Sequence, residues 1–104
     1  PGKFRGGNGI RIGYRILEAG EVSIHDDRWL TYPWGVNGGL PGSRSRKLLK
    51  RADGSEELLP SKTDRVKVEP GDLVVYETWG GGGCGDPLER EPGKVAFDVE
   101  AGLV

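Results

Sequence analysis

Alternation of apolar and polar residues predicts two strands near the start of this chain. Within residues 9–18 four alternate side chains are apolar, which is typical of a half-buried strand. These side chains are Ile10, Ile12, Tyr14 and Ile16. A turn at residues 19–21 leads to a second strand-like segment, residues 21–25. We therefore predict a hairpin in which these two neighbouring strands pair with each other.

A second hairpin is predicted in the middle of the chain, after a long irregular segment at residues 26–42. Residues 47–51 and 56–59, each with a Leu-Leu pair, lie on either side of Asp53-Gly54. Asp-Gly between two such segments is a strong hairpin signal, because glycine accepts the positive φ that the turn requires. Two more strands are predicted at residues 65–69 and 73–78, which are rich in β-branched residues.

The last segment, residues 91–104, predicts a short helix. Pro92 suits the first helical turn, where its missing N–H is not needed, and Gly102 suits the end. The 19 glycines and 7 prolines are interleaved with strand-like segments throughout the chain, which favours many turns over disorder. The fold class that we predict is mainly β: a turn-rich β-sandwich or barrel-like domain with one short C-terminal helix.

Composition excludes several classes of function. With 104 residues the chain predicts a single domain, and its 15 basic and 16 acidic side chains give no field that would attract nucleic acid. One cysteine and one histidine are too few for a disulfide or a zinc site of the usual kind, so we predict no metal in this segment. We find no apolar run long enough for a membrane span, and we expect a cytoplasmic protein. Since the chain begins at Pro1 and has no methionine, we expect a piece of a larger protein.

A run of glycines is the most unusual feature of the sequence. Between the last predicted strand and the helix stand Gly80, Gly81, Gly82, Gly83, Cys84, Gly85 and Asp86. Glycines cost conformational entropy on folding, so a cluster is expected where a ligand or another backbone comes too close for a Cβ. A glycine loop between strand and helix can bind an anion, although the Lys-Ser/Thr ending of a phosphate loop is missing. The sequence leaves a ligand loop and a packing loop as alternatives.

A polar cluster follows the second strand: His25, Asp26, Asp27 and Arg28. An imidazole beside two carboxylates could perform acid–base chemistry or bind a cation. Consecutive residues of a strand point to opposite faces, however, so His25 and Asp26 need not converge. The alternative is a strand end at which an aspartate caps the turn and Arg28 forms an ion pair.

Ten short motifs, in order along nearly the whole chain, resemble the C-terminal end of the hydantoinase B/5-oxoprolinase family. They are Pro1-Gly2-Lys3-Phe4-Arg5-Gly6-Gly7, Asp27-Arg28, Pro33-Trp34-Gly35, Gly38-Gly39, Leu59-Pro60-Ser61-Lys62, Pro70-Gly71-Asp72, the glycines at 80–83, Gly85-Asp86-Pro87, Glu89-Arg90 and Asp98-Val99. The position of Cys84 is usually aromatic in that family, so the resemblance does not imply a shared cysteine nucleophile.

The resemblance implies the C-terminal domain of an ATP-dependent cyclic-amide hydrolase of the hydantoinase, N-methylhydantoinase or 5-oxoprolinase type. Its implied partners are the rest of the hydantoinase B-type subunit and a hydantoinase A-type subunit that binds ATP and phosphorylates the substrate. The parent enzyme would use ATP and a divalent metal (Mg, Mn or Zn) whose ligands lie upstream, so no cofactor and no catalytic residue is assigned here. Alone, the domain is expected to be inactive. The alternative is a structural or subunit-interaction domain of a related ATP-dependent ketone carboxylase.

Overall fold

The computed structural model describes all 104 residues and divides the chain into two compact units. One unit, which we call the sheet unit, consists of Ile10–Thr31 and Arg44–Thr78. The other, which we call the glycine-rich unit, consists of Pro1–Gly9, Tyr32–Ser43 and Trp79–Val104. Each unit is therefore assembled from segments that are distant in the sequence.

The sheet unit contains six antiparallel strands in two sheets. The strands are β1 (Arg11–Arg15), β2 (Gly20–His25), β3 (Arg46–Lys50), β4 (Glu56–Leu58), β5 (Lys62–Val68) and β6 (Leu73–Glu77). One sheet has four strands in the order β1-β6-β3-β4, and the other pairs β2 with β5. The predicted mainly β, sandwich-like class is confirmed, and the sheets do not close into a barrel.

The core of the sheet unit lies between side chains of both sheets. Ile24 and Val68 come from the two-stranded sheet, and Leu49 and Val74 come from the four-stranded sheet. Leu59, which follows β4, completes this buried cluster. Full burial of an aliphatic side chain of this size stabilises a fold by about 1.5–3 kcal/mol. Apolar contact between the two sheets is therefore the main source of their association.

The hairpin at Asp53-Gly54 is confirmed. β3 pairs with β4, and the connecting turn has Gly54 at a φ of 90°. The Arg51 N–H donates to the Ser55 carbonyl at 2.8 Å, which closes the turn. Both the flanking Leu-Leu segments and the turn residues were correct signals because this pairing is local in sequence.

The first predicted hairpin is wrong, because β1 pairs with β6 and β2 pairs with β5. Residues 16–19 carry the chain from one sheet to the other instead of turning it back. This arrangement lets Ile24 of β2 pack against Leu49 and Val74 of the opposite sheet. The prediction of a half-buried β1 is also wrong: Ile12 and Tyr14 remain 39% and 53% exposed.

The glycine-rich unit has little regular secondary structure apart from its C-terminal part. A short 3-10 helix, Pro87–Glu89, precedes one α-helix, α1 (Pro92–Glu100). Pro92 lies in the first turn, as predicted. At the other end Gly102 has a φ of 66°, its N–H donates to the Val99 carbonyl, and the Leu103 N–H donates to Asp98. This pair of hydrogen bonds is the Schellman ending that favours glycine.

Candidate functional site

The glycines at 82 and 83 lie directly against other parts of the backbone. A Cβ on Gly82 would fall against the Trp34 carbonyl and 2.7 Å from the Gly35 nitrogen, and one on Gly83 would fall against the Pro1 carbonyl. Real Cβ atoms essentially never approach another heavy atom within 3.0 Å. Gly80 and Gly81 are less crowded, with the nearest atoms at 3.1 Å. No side chain fits at Gly82 or Gly83 without movement of the neighbouring backbone.

The segments facing the run are also built from glycine. A Cβ on Gly6 would meet the Gly81 carbonyl, one on Gly39 would meet the Gly83 carbonyl, and one on Gly42 would lie 2.6 Å from the carbonyl oxygens of Gly80 and Gly81. A Cβ on Gly35 would meet the Gly39 carbonyl. We call this set the glycine core; its members are Gly6, Gly35, Gly39, Gly42, Gly82 and Gly83. The glycine core permits backbones to pack at distances that side chains would prevent.

The N–H groups of the run donate mainly within the glycine-rich unit. Gly81 donates to the Gly7 carbonyl at 2.8 Å, and Gly83 donates to the Leu40 carbonyl at 2.9 Å. The N–H of Gly80 donates to the Ser43 Oγ at 3.1 Å. An anion cradle needs such groups to point at the ligand. The hydrogen bonds of these three residues therefore favour the packing interpretation of the loop.

The remaining residues of the predicted loop make structural contacts. Cys84 is half-buried, and its backbone exchanges two hydrogen bonds of 2.9 Å with Phe4. Its Sγ lies 4.0 Å from the Asn37 amide nitrogen, a group that cannot act as a base toward a thiol. Gly85 has a φ of 77°, and the Asp86 carboxylate caps the short helix by accepting from the Leu88 N–H at 2.9 Å.

A buried carboxylate attaches helix α1 to the start of the chain, and sequence reasoning missed its role. Asp98 is 4% exposed, and its Oδ2 lies 2.8 Å from Arg90 Nη2 and 3.3 Å from Arg5 Nε. Arg5 also donates to the Gly6 carbonyl, next to the glycine core, and Arg90 donates to the Lys3 carbonyl. Asp98 thus accepts a hydrogen bond from Arg90 and forms an ion pair with both guanidinium groups. The sequence feature that could have revealed this role is an aspartate within a short predicted helix, next to apolar residues.

The predicted polar cluster does not converge on one site. His25 Nε2 lies 3.0 Å from Asp64, which belongs to the paired strand β5. Asp27 lies 3.3 Å from the Lys62 Nζ, whereas Asp26 accepts from the Lys47 Nζ at 2.8 Å. The neighbouring side chains therefore take different partners, as alternation along a strand leads one to expect.

The Asp26–Lys47 pair is the buried part of that cluster. The side chain of Lys47 is 4% exposed, and its Nζ lies 5.4 Å from the centre of the Tyr76 ring. Burial raises the pKa of Asp26, but hydrogen bonds from Lys47 and Ser45 outweigh burial and hold the pKa below its ordinary value. Burial raises the pKa of Tyr76, and the neighbouring Tyr14 and Asp26 add to this effect.

Asp72 is a second buried carboxylate in the sheet unit. It is 2% exposed and accepts hydrogen bonds from the Arg51 side chain and from the N–H groups of Ala52 and Glu69. The hydrogen bond from the Glu69 N–H lowers the pKa of Asp72 most. Burial raises this pKa, but the hydrogen bonds from Arg51 and Ala52 lower it further, so that it stays below its ordinary value. These hydrogen bonds to the carboxylate hold together the turn at Pro70-Gly71-Asp72.

Neither unit shows an assembled metal centre or a membrane span. The structure contains no group of three or more histidine, cysteine, aspartate or glutamate side chains placed to hold a metal ion. Its only α-helix, α1, is too short to cross a membrane. The glycine-rich unit therefore offers a glycine-lined backbone contact and the ion pairs of Asp98, and the sheet unit offers the buried pairs of Asp26 and Asp72.

Fold and site together define a β-rich chain segment in which the six members of the glycine core are required by close backbone contacts. A sequence model of the Hydantoinase B/oxoprolinase family matches residues 1–87, which include every member of the glycine core. The chain belongs to this family. No solved structure matched the chain.

Curated relatives show how much of a family member this chain represents. An uncharacterized protein of Methanocaldococcus jannaschii is 40% identical over 95% of this chain, which corresponds to 17% of that protein. The caprolactamase subunit beta of Pseudomonas jessenii is 32% identical over 99% of the chain and 18% of its own length. The 5-oxoprolinase of Saccharomyces cerevisiae is 33% identical over 81% of the chain and 6% of its own length. The chain therefore spans less than a fifth of each of these relatives.

Proposed function

We propose that this chain is one domain of a B-type polypeptide that takes part in ATP-dependent hydrolysis of cyclic amides. The family match over residues 1–87 is the observation that carries the proposal. Relatives named 5-oxoprolinase and caprolactamase both act, by their names, on the amide bond of a lactam ring. The substrate class that we propose is therefore a five- to seven-membered cyclic amide or imide.

The role that we propose for this domain is structural support of the reaction rather than bond cleavage. The glycine core fixes several backbone segments at close distance and could form one wall of the parent's site. Cys84 lacks an adjacent base, and the polar cluster is divided among separate ion pairs. A nucleophile with its base, or a metal centre, is what hydrolysis would need. We therefore expect the isolated chain to be inactive.

In the parent enzyme we expect an A-type polypeptide to bind ATP and to phosphorylate the amide substrate in the cytoplasm. The name of the Pseudomonas jessenii relative, subunit beta, describes a protein of more than one kind of subunit. A divalent metal (Mg, Mn or Zn) would be held by residues outside this chain.

The proposal is tested with the full-length B-type polypeptide, produced together with its A-type partner. Hydantoin, 5-oxoproline and caprolactam are supplied with ATP and Mg²⁺, Mn²⁺ or Zn²⁺, and both ring-opened product and ADP are measured. We expect ADP release to depend on one of these amides, and none with the isolated 104-residue chain. Incorporation of labelled bicarbonate into a ketone, without amide hydrolysis, would instead assign the chain to a carboxylase.

Two glycine variants of the full-length enzyme test the role of the glycine core. Gly82→Ala forces a Cβ against the Trp34 carbonyl, whereas Gly7→Ala meets nothing within 4 Å. Lost turnover with intact assembly in Gly82→Ala alone would place the loop at the site. Lost assembly, measured by sedimentation, would show that the loop serves packing. Unchanged turnover and assembly in both variants would contradict a role for the loop.

A further inference from the structure

Strand β1 is an edge of the four-stranded sheet, and its outer backbone groups have no partner. β1 pairs only with β6. The Thr78 N–H donates to the Ile10 carbonyl, and the Ile16 N–H donates to the Asp72 carbonyl. Because hydrogen-bonding residues alternate along an antiparallel strand, the backbone N–H and C=O groups of Ile12 and Tyr14 also face β6. The N–H and C=O groups of Arg11, Gly13 and Arg15 consequently face away from the sheet.

An apolar groove of about 460 Å³ adjoins this edge, within the sheet unit. Its lining comes from the apolar face of β1 together with β2, β6 and the residue after β6. The residues are Ile12, Tyr14, Ile16, Val22, Val74, Tyr76 and Thr78. The rings of Tyr14 and Tyr76 meet edge to face at 5.5 Å, which fixes the shape of the groove. It contains no charged side chain.

A free strand edge beside an apolar groove is suited to an added strand. An extended segment that pairs with β1 would satisfy the outward N–H and C=O groups, and every second side chain would lie over the groove. Exposed sheet edges of this kind are normally covered or blocked in native proteins. Ile12 and Tyr14 remain 39% and 53% exposed, which leaves room for an added strand beside them.

The charges on β1 select the kind of strand. Arg11 and Arg15 lie on the face of β1 that is opposite to the groove. Arg11 is two residues before Gly13, and Arg15 is two residues after it. Arg11 lies opposite Glu77, with its Nε 3.4 Å from that carboxylate, whereas Arg15 lies opposite the apolar Leu73. An antiparallel second copy centred on Gly13 would place Arg11 opposite Arg15, and like charges directly opposite are destabilising. A strand with carboxylates at these positions is favoured.

The source of the strand follows from the proposed function, on which this inference rests. In the relatives of Methanocaldococcus jannaschii and Pseudomonas jessenii the matched region is less than a fifth of one polypeptide. A segment in the same polypeptide is present at a high effective concentration, which favours it over a separate molecule.

We propose that β1 is completed by an extended segment from the remainder of the same B-type polypeptide. That segment has apolar side chains at alternate positions, which cover the groove, and carboxylates between them, which pair with Arg11 and Arg15. The four-stranded sheet thereby becomes a five-stranded sheet that joins this chain to the rest of the subunit.

Amide hydrogen exchange tests this interface and requires no turnover. The amides of Arg11, Gly13 and Arg15 are compared between the isolated chain and the full-length B-type polypeptide, with Ile12 and Tyr14 as internal controls. We expect the outer amides to exchange at least tenfold more slowly in the full-length polypeptide, and the control amides to be protected in both. Equal exchange of the outer amides in both proteins would overturn the proposal, as would unprotected control amides. Because no substrate is involved, protection without amide hydrolysis would refute the proposed reaction but not this interface.

A charge-reversing variant tests the chemistry of the segment. Arg15→Glu in the full-length polypeptide is expected to remove the added protection at Gly13, while protection at Tyr14 is kept. Lys67→Glu makes the same change of charge on the exposed face of β5 and should leave the protection intact. Unaltered protection in Arg15→Glu would contradict an acidic segment. Protection that appears only on adding the A-type subunit, or on dimerisation of the isolated chain, would identify a different occupant and overturn the proposal.

Discussion

The backbone of Gly6 lies directly against the carbonyl group of Gly81. A Cβ built on Gly6 would fall within 3.0 Å of that carbonyl, closer than real Cβ atoms approach other heavy atoms. The adjacent residue, Gly7, has open space in the same direction, with nothing within 4 Å. Two consecutive glycines therefore have different reasons to be present, and only the first is fixed by packing.

We predict that Gly6→Ala strongly destabilises the chain. The new methyl group must displace the backbone of residues 81 and 82, because no flexible side chain is available to move. Overpacking of this kind costs about 1–3 kcal/mol, and more where backbone is the obstacle. The measurement is the free energy of unfolding from denaturant titration.

The matched control is Gly7→Ala, which adds the same methyl group one residue later. It should change the free energy of unfolding by less than about 1 kcal/mol, with a small gain from reduced freedom of the unfolded chain. Similar losses of unfolding free energy in the two variants would show that the close contact between Gly6 and Gly81 is not the cause of the destabilisation.

Local signals in the sequence were sufficient for the second hairpin but not for the first pairing. Asp53-Gly54 determines its own turn: the Asp53 carboxylate accepts hydrogen bonds from Ser55, and Gly54 takes the positive φ. For β1, alternation identified the correct apolar face but carried no information about its partner. That partner, β6, lies far along the chain and is selected by packing of the whole core.

The glycine core shows the same limit at the level of the site. The sequence indicated that the run at 80–83 needs a close neighbour, because glycine is otherwise costly. It could not identify the neighbours of Gly82 and Gly83, which are Trp34 and Pro1. The role of Asp98 was likewise hidden, since its partner Arg5 comes from the other end of the chain.

We predict that Asp98→Asn loosens helix α1. The variant keeps the shape of the side chain but removes the negative charge that Arg5 and Arg90 share. Loss of one partner from a buried ion pair typically costs about 3–5 kcal/mol, because the remaining charge is left uncompensated. The free energy of unfolding and amide exchange at Leu103, whose N–H bonds to the Asp98 carbonyl, measure the effect. Glu100→Gln, on the exposed part of the same helix, should change the free energy by less than about 0.5 kcal/mol.

We predict that Asp72 makes the sheet unit sensitive to acid. Its pKa is lower in the folded protein than the ordinary value of 3.8, since the Glu69 N–H and Arg51 stabilise the carboxylate. A lowered pKa contributes stability that is complete above the unfolded value and is lost as the pH falls through the folded value. Denaturant titrations between pH 7 and pH 2 should show a decline below about pH 4 that is shallower in Asp72→Asn. An equally steep decline in Asp72→Asn would assign the acid sensitivity to other carboxylates. The control is Glu18→Gln, a substitution of an exposed residue, which should leave the decline unchanged.

The buried pair of Asp26 and Lys47 predicts strong coupling between two variants. Lys47→Met removes the cation that lies 2.8 Å from Asp26 and leaves that carboxylate buried without its partner. Each of Lys47→Met and Asp26→Leu should cost about 3 kcal/mol or more, while the double variant should recover much of the loss because no unpaired charge remains. A double-mutant cycle on the free energy of unfolding measures this coupling. The exposed pair of Lys62 and Asp27, at 3.3 Å, is the matched control, and its cycle should give less than about 1 kcal/mol. Additive losses in the buried pair would mean that water reaches Asp26 once Lys47 is gone.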